Sequence, residues 1–165
     1  MKEKLKRFEN TISTILGRKL TNITQDQECE EYSGFNFQIN QLNLKFRKAK
    51  ITPKKVGQFV TLWRRNSEKQ TEPFNETDNF DFYIIVVEQE ERFGFFIFPK
   101  NVLIERQILT SNQKEGKRGF RVYPNWTKTE NKQAEKTQNW QINYFINLTN
   151  NEQKNIEKFK AIINV

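Results

Sequence analysis

Apolar residues recur along this chain with two different periods. Leu5, Phe8, Ile12, Ile15 and Leu16 follow one another at steps of 3, 4, 3 and 1, the stripe of an amphipathic helix over residues 3–16, with Gly17 placed to cap its end. Residues 35–39 and 42–46 instead alternate apolar with polar positions, and Asn40-Gln41 between them predicts a hairpin. Thr52-Pro53 is a helix-start signal, a capping hydroxyl followed by proline at the first helical position. A helix from 53 to about 66 would gather Val56, Phe59, Val60 and Trp63 on one face and Lys54, Gln58, Thr61 and Arg65 on the other. Residues 80–87 and 93–98 are β-prone runs that predict a second hairpin, which Pro99 closes. A short helix at 100–107, a strand at 119–123 and helices at 131–146 and 149–163 complete the pattern, with 18–31, 67–79 and 110–118 as polar connections. No repeat or second domain is visible. The order of elements implies one domain, 1–165, of mixed α/β (α+β) class, with a central mixed sheet flanked by helices.

Composition narrows the chemistry. Of 165 residues only 35% are hydrophobic, yet 15 Phe, 3 Trp and 4 Tyr supply rings enough for a packed core. With no histidine, every mechanism built on a histidine base or ligand is excluded. The lone Cys29 forms neither an internal disulfide nor a multi-thiolate zinc site. Charged residues interrupt the first helix, and no apolar run approaches the roughly 18 residues of a membrane span. The expectation is a cytoplasmic protein with no membrane partner.

Charge then points to a partner. The net charge is +8, and Lys45, Arg47, Lys48, Lys50, Lys54, Lys55, Arg64 and Arg65 fall together between residues 45 and 65 without one acid. Residues 66–91 are predominantly acidic. A strand leading into a helix at Thr52 would aim free N–H groups, with Lys54 and Lys55 beside them, at a phosphate. The positive end of the helix dipole disfavours cations there, so two lysines in that turn suggest a use for the charge. A second cluster, Lys114, Lys117, Arg118 and Arg121, interleaves with Gly116, Gly119, Phe120 and Tyr123. Phosphate contacts by the cations and stacking by the rings are one reading; ordinary strand alternation, with Phe120 inward and Arg121 on the surface, is the other.

Several motifs together resemble the MepB-like family of bacterial proteins: EYSG at 31–34, FRKAKITPKKVGQFVTLWRR at 46–65, FDFY at 80–83, FGFFIFPK at 93–100, KRGFRVYP at 117–124 and NKQAEKTQ at 131–138. A more distant similarity is to the PD-(D/E)xK nuclease-like, restriction-endonuclease-like fold, in which a strand bearing acid-x-Lys leads into a helix. That resemblance implies Lys50 as the lysine and Glu31 and Asp81 as carboxylates for Mg²⁺. Lys48, however, stands where the pattern requires an acid.

The leading expectation is a DNA-binding protein without strong sequence specificity, on a nuclease-like fold with a degenerate or atypical catalytic site. Its surface would comprise Arg47, Lys48, Lys50, Thr52, Lys54, Lys55, Gln58, Arg65, Lys117, Arg118 and Arg121. No cofactor is expected. The alternatives are a Mg²⁺-dependent nuclease using Glu31, Asp81 and Lys50, and an accessory module that binds an acidic protein or a phosphorylated small ligand.

Overall fold

The structure, a computed structural model, describes residues 2–112, 114–150 and 152–164. The first stripe forms helix α1 (Lys2–Leu16), which Gly17 ends at φ 65° with its N–H on Ser13 O. Strand β1 (Thr21–Gln25) and a 3₁₀ segment (Gln27–Tyr32) follow, then the expected hairpin of β2 (Phe35–Ile39) and β3 (Leu42–Lys48), turned by Asn40 at φ 56°. Short strands follow: β4 (Lys50–Ile51), then β5 (Gln58–Thr61) and β6 (Trp63–Arg65) where a helix is expected, and β7 (Thr71–Pro73) within the expected polar connection. The second hairpin is β8 (Phe82–Gln89) and β9 (Arg92–Pro99), leading into α2 (Lys100–Glu105). The last elements are β10 (Gly119–Val122), α3 (Lys132–Gln141), β11 (Phe145–Asn147) and α4 (Gln153–Ile163).

The central sheet has the order β1-β2-β3-β8-β9-β11, and within it only β3 and β8 run parallel. A three-stranded antiparallel sheet, β10-β5-β4, lies over one face, and β6 pairs with β7. The long apolar runs follow from burial on both faces. Phe82, Ile84 and Val86 pack with Phe8 and Ile12 of α1 and Phe159 of α4. Tyr83, Ile85 and Val87 pack with Val60, Phe120 and Val122 of the smaller sheet, with Leu62 just past β5 and with Leu103 of α2. The fold is therefore mixed α/β, its central mixed sheet flanked by helices.

The helix expected at 53–66 is replaced by a turn and β5. Gly57 sits at φ +84°, a conformation that ends any helix and that glycine adopts without strain. Beyond it Gln58 and Val60 point inward while Phe59 and Thr61 are half-buried, and β5 pairs with β10 from Val122↔Gln58 to Gly119↔Thr61. The β-branched and aromatic Phe59-Val60-Thr61 suits such a ladder. The helical start signal at Thr52-Pro53 serves a turn instead. The helix expected at 131–146 stops at Gln141, because Phe145 and Ile146 are taken up by β9. No helix among the described residues is long and apolar enough to cross a membrane.

Candidate nucleic-acid interface

The turn at 52–57, strand β10 and one face of α3 line an open cavity of about 470 Å³. Named hydrogen bonds hold each wall in place. Asn131 caps α3, its Oδ1 accepting from Ala134 N at 2.8 Å. Gln141, at the other end of the helix, is fully buried; its Oε1 accepts from Tyr123 N at 2.8 Å and its Nε2 donates to Arg121 O at 2.9 Å, which binds α3 to the end of β10. The turn is held by Arg121, whose Nη2 donates to Thr52 Oγ1 at 2.6 Å and whose Nη1 donates to Val56 O at 3.3 Å. Gly57 lies so close to Tyr123 that a Cβ there would sit 2.7 Å from the ring.

Five cationic side chains line this space, Lys54, Lys55, Arg106, Lys117 and Arg121, against one carboxylate, Glu130, among the described residues. Lys54, Lys55, Arg106 and Lys117 are exposed. Trp140 forms part of the wall, tilted at 48° against Phe98 (5.4 Å between centroids) and with the Arg106 guanidinium over its ring (5.0 Å). A concave, cationic, partly aromatic surface can hold phosphate and a planar ring together.

Lys54, Lys55, Lys117 and Arg121 thus meet in one place, with Thr52 behind them as the ligand of Arg121. The other expected contact residues lie elsewhere. Arg47 is fully buried, its Nη2 2.5 Å from Asp26 Oδ2 and its Nη1 donating to Phe46 O at 2.8 Å, so it is a core residue and not a surface contact. Gln58 is also buried and donates to Glu88 O at 3.2 Å. Both corrections have one cause: on a strand their side chains alternate into the protein. Arg65 lies across Trp63 and donates to Lys69 O, and its N–H is accepted by Glu28. Arg118 turns to Thr71 O (3.0 Å) and pairs with Glu115 (3.4 Å). Lys48 is half-buried; burial pushes its amine down, Lys4 and Lys50 add to that, and Glu88 opposes it.

The three residues expected for catalysis divide. Lys50 and Glu31 approach to 3.6 Å, with side chains 45% and 81% exposed, a geometry in which solvent screens most of the attraction. Lys50 also lies over the Tyr32 ring at 4.7 Å. Asp81 is at the opposite end of the sheet, where its Oδ2 accepts from Asn43 N at 2.8 Å. Leu44 pairs with Phe82 and Lys48 with Val86 in the parallel ladder, so Asp81 is level with Asn43. From Asn43 to Lys48, five residues on, is about 16 Å at roughly 3.3 Å per residue, and Lys50 lies past that end in β4. Among the described residues no three of Cys, Asp and Glu gather as a metal-binding group, and Glu31, Asp81 and Lys50 as arranged do not fit a shared Mg²⁺. The anion site expected at a helix start also falls, since Thr52 begins no helix.

Sequence reasoning missed Arg106, Glu130 and the part of Trp140 in the wall. None carries a local signal; α2 and α3 bring them to the turn only through the fold.

The MepB-like family matches residues 26–147. Among solved structures the chain is similar to the crystal structure of MepB, at 33% identity and a TM-score of 0.79, over 93% of this chain and 99% of that one. A bacterial homing endonuclease, I-Ssp6803I, aligns at 16% identity with a TM-score of 0.43, over 80% of this chain and 84% of that one. No curated protein matches the sequence.

Proposed function

The chain belongs to the MepB-like family, and from the charge and shape of the cavity against α3 we propose that it is a DNA-binding protein of the bacterial cytoplasm, on a nuclease-like fold whose catalytic site is degenerate. The observation that carries this reading is the meeting of Lys54, Lys55, Arg106, Lys117 and Arg121 around one concavity with a single carboxylate among the described residues. Like charges so gathered repel one another, and a polyanion relieves that repulsion while releasing its own counterions. The contacts are to phosphate, so sequence specificity is weak.

Fluorescence anisotropy with labelled DNA, duplex and single-stranded, at about 50 mM salt tests this, a regime in which weak non-specific binding registers at micromolar protein. Binding is expected, weakening linearly in log–log form with salt. Lys54→Glu with Lys55→Glu is expected to weaken it by about tenfold or more, and Lys6→Glu with Lys160→Glu, exposed lysines on α1 and α4, to change it by no more than about twofold. No binding to either DNA form would remove the reading in favour of a module for acidic proteins or phosphorylated small ligands. A second reading, the Mg²⁺-dependent nuclease, has in its favour the approach of Glu31 to Lys50. The position of Asp81 weighs against it.

A further inference from the structure

A second cavity, about 230 Å³, lies on the other side of the same turn and is lined by Ile51, Gly57, Gln89, Arg92, Trp126 and Lys128. It shares Lys55 and Val56 with the larger one. The turn at 52–57 is therefore a low ridge between two concavities, with Lys55 on its crest. The second cavity repeats the character of the first. Its cations are Lys55, Arg92 and Lys128, all exposed, and no carboxylate lines it among the described residues. Half-buried Trp126 forms its wall, oriented by a hydrogen bond from Nε1 to Gln89 Oε1 at 3.2 Å and by edge contact with Phe145. At its rim stands Ile51, 58% exposed, one of two large apolar side chains left in solvent among the described residues.

We infer that the two cavities and the turn between them form one track for a single strand of nucleic acid, its phosphates on the cations along the rim and its bases against Tyr123 on one side and Trp126 and Ile51 on the other. This rests on the nucleic-acid reading above and gives the form of the ligand. Three physical points select a single strand. Rings set into concavities reach a base only when its face is free, and in a duplex the faces are stacked on one another. Duplex readers insert a projecting helix or ribbon into a groove, whereas the cationic surface here is hollow on both sides of a short turn. Exposed Ile51 adds nothing to phosphate binding, but offers apolar contact to a base.

The experiment compares four 5′-labelled ligands by anisotropy: a dT 12-mer, an abasic 12-mer with the same phosphates, a 12-bp duplex and an rU 12-mer, with dTMP as competitor and tryptophan fluorescence as a second readout. The dT 12-mer is expected to bind about tenfold more tightly than the abasic strand or the duplex, the scale of one stacked base, and to quench tryptophan emission where the abasic strand does not. Ile51→Ser, at an exposed position, is expected to reduce affinity for the dT 12-mer and leave the abasic strand unchanged, while Lys55→Glu reduces both. The rU 12-mer binding as tightly as the dT 12-mer supports a track that accepts either sugar. Equal affinity for the duplex, the abasic strand and the dT 12-mer would overturn the single-strand track while leaving DNA binding in place. Full displacement by dTMP at the same concentration of nucleotide would reduce it to a mononucleotide pocket, and no binding by any strand would remove both readings.

Discussion

Two cations of strand β3 show how far a lysine or arginine can be from the surface it suggests. Arg47 has no exposed area, yet it is paired with Asp26 and donates to a backbone carbonyl. Removing the partner of such a buried charge costs about 3–5 kcal/mol, far more than an exposed pair contributes. The motif that precedes it is accordingly structural. Ser33 takes φ 52°, and a Cβ on Gly34 would lie 2.7 Å from Cys29 Cβ and 3.0 Å from Arg47 Nη1, so glycine lets this segment close over the guanidinium. Lys45 lies two residues before Arg47, donating to Asn36 Oδ1 at 3.2 Å and resting 4.3 Å above the Phe74 ring. Burial, and after it Arg47, lowers its pKa from 10.5 to about 8, with Asp26, Asp78 and Cys29 opposing. Between pH 8 and 10.5 the unfolded chain therefore holds a proton on Lys45 that the folded chain has given up, and stability gains from this residue as pH rises through that range. Denaturant unfolding of the natural protein and of Lys45→Met, compared across that window, is expected to show the natural protein gaining relative to the variant; a flat or falling difference would contradict the shift.

At the scale of the element, the turn at 52–57 decides the site. Its conformation comes from partners far away in sequence: Arg121 holds Thr52 and Val56, and Tyr123 covers Gly57. Gly57 is at φ +84°, and a methyl group there would meet Tyr123 at 2.7 Å and Val122 O at 3.0 Å. Gly57→Ala therefore combines backbone strain with a steric clash against a packed strand. A loss of roughly 1–3 kcal/mol in urea unfolding is expected, with weaker DNA binding, because the ridge carrying Lys54 and Lys55 shifts away from Arg121. A variant of unchanged stability and affinity would mean that the turn has no fixed shape to lose. The strands behind it contribute rigidity: β8 has every side chain from Phe82 to Val87 buried, three toward α1 and α4 and three toward the smaller sheet.

Across the whole molecule the cations of the turn, β10 and α2 share one side, and the residues suggested for hydrolysis do not share a cleft. Glu31 and Lys50 form an exposed pair beyond the end of β3, and Asp81 is bound to the backbone of Asn43 at the other end of that sheet. With Asp81 at one end of β3 and the Glu31–Lys50 pair beyond the other, about 16 Å away or more at roughly 3.3 Å per strand residue, the three cannot act on one phosphodiester. Incubation with supercoiled, linear or single-stranded DNA and Mg²⁺ or Mn²⁺ is expected to leave the DNA intact. Metal-dependent cleavage abolished by both Asp81→Ala and Lys50→Ala, with binding retained, would show that these residues act together and would restore the nuclease reading.

Elements with strong local patterns were legible without the structure: the stripe from Leu5 to Leu16, the alternation on either side of Asn40, the ring-rich runs around Glu90, the short helix after Pro99. Each reports its own burial, and burial there follows from periodicity along a few residues. β1 was not legible because all its residues are exposed; pairing with β2, and no hydrophobic face, makes it a strand. β5 and β11 fall inside segments whose pattern predicts helix, because Val56, Phe59, Val60 and Trp63 satisfy a helical spacing by coincidence and the segment 131–146 continues a true helix, and ladders to β10 and β9 outweigh both. The same division runs through the candidate site. Composition and charge alone determined that the chain is basic, lacks histidine and concentrates cations near residues 45–65 and 114–121. Which of them face solvent together was decided by tertiary structure, which buried Arg47 and Gln58 and turned Arg118 aside. It also brought Arg106, Arg92, Lys128 and two tryptophans to one turn, because side-chain direction is set by strand register and packing partners distant in sequence, and charge by itself carries no record of either.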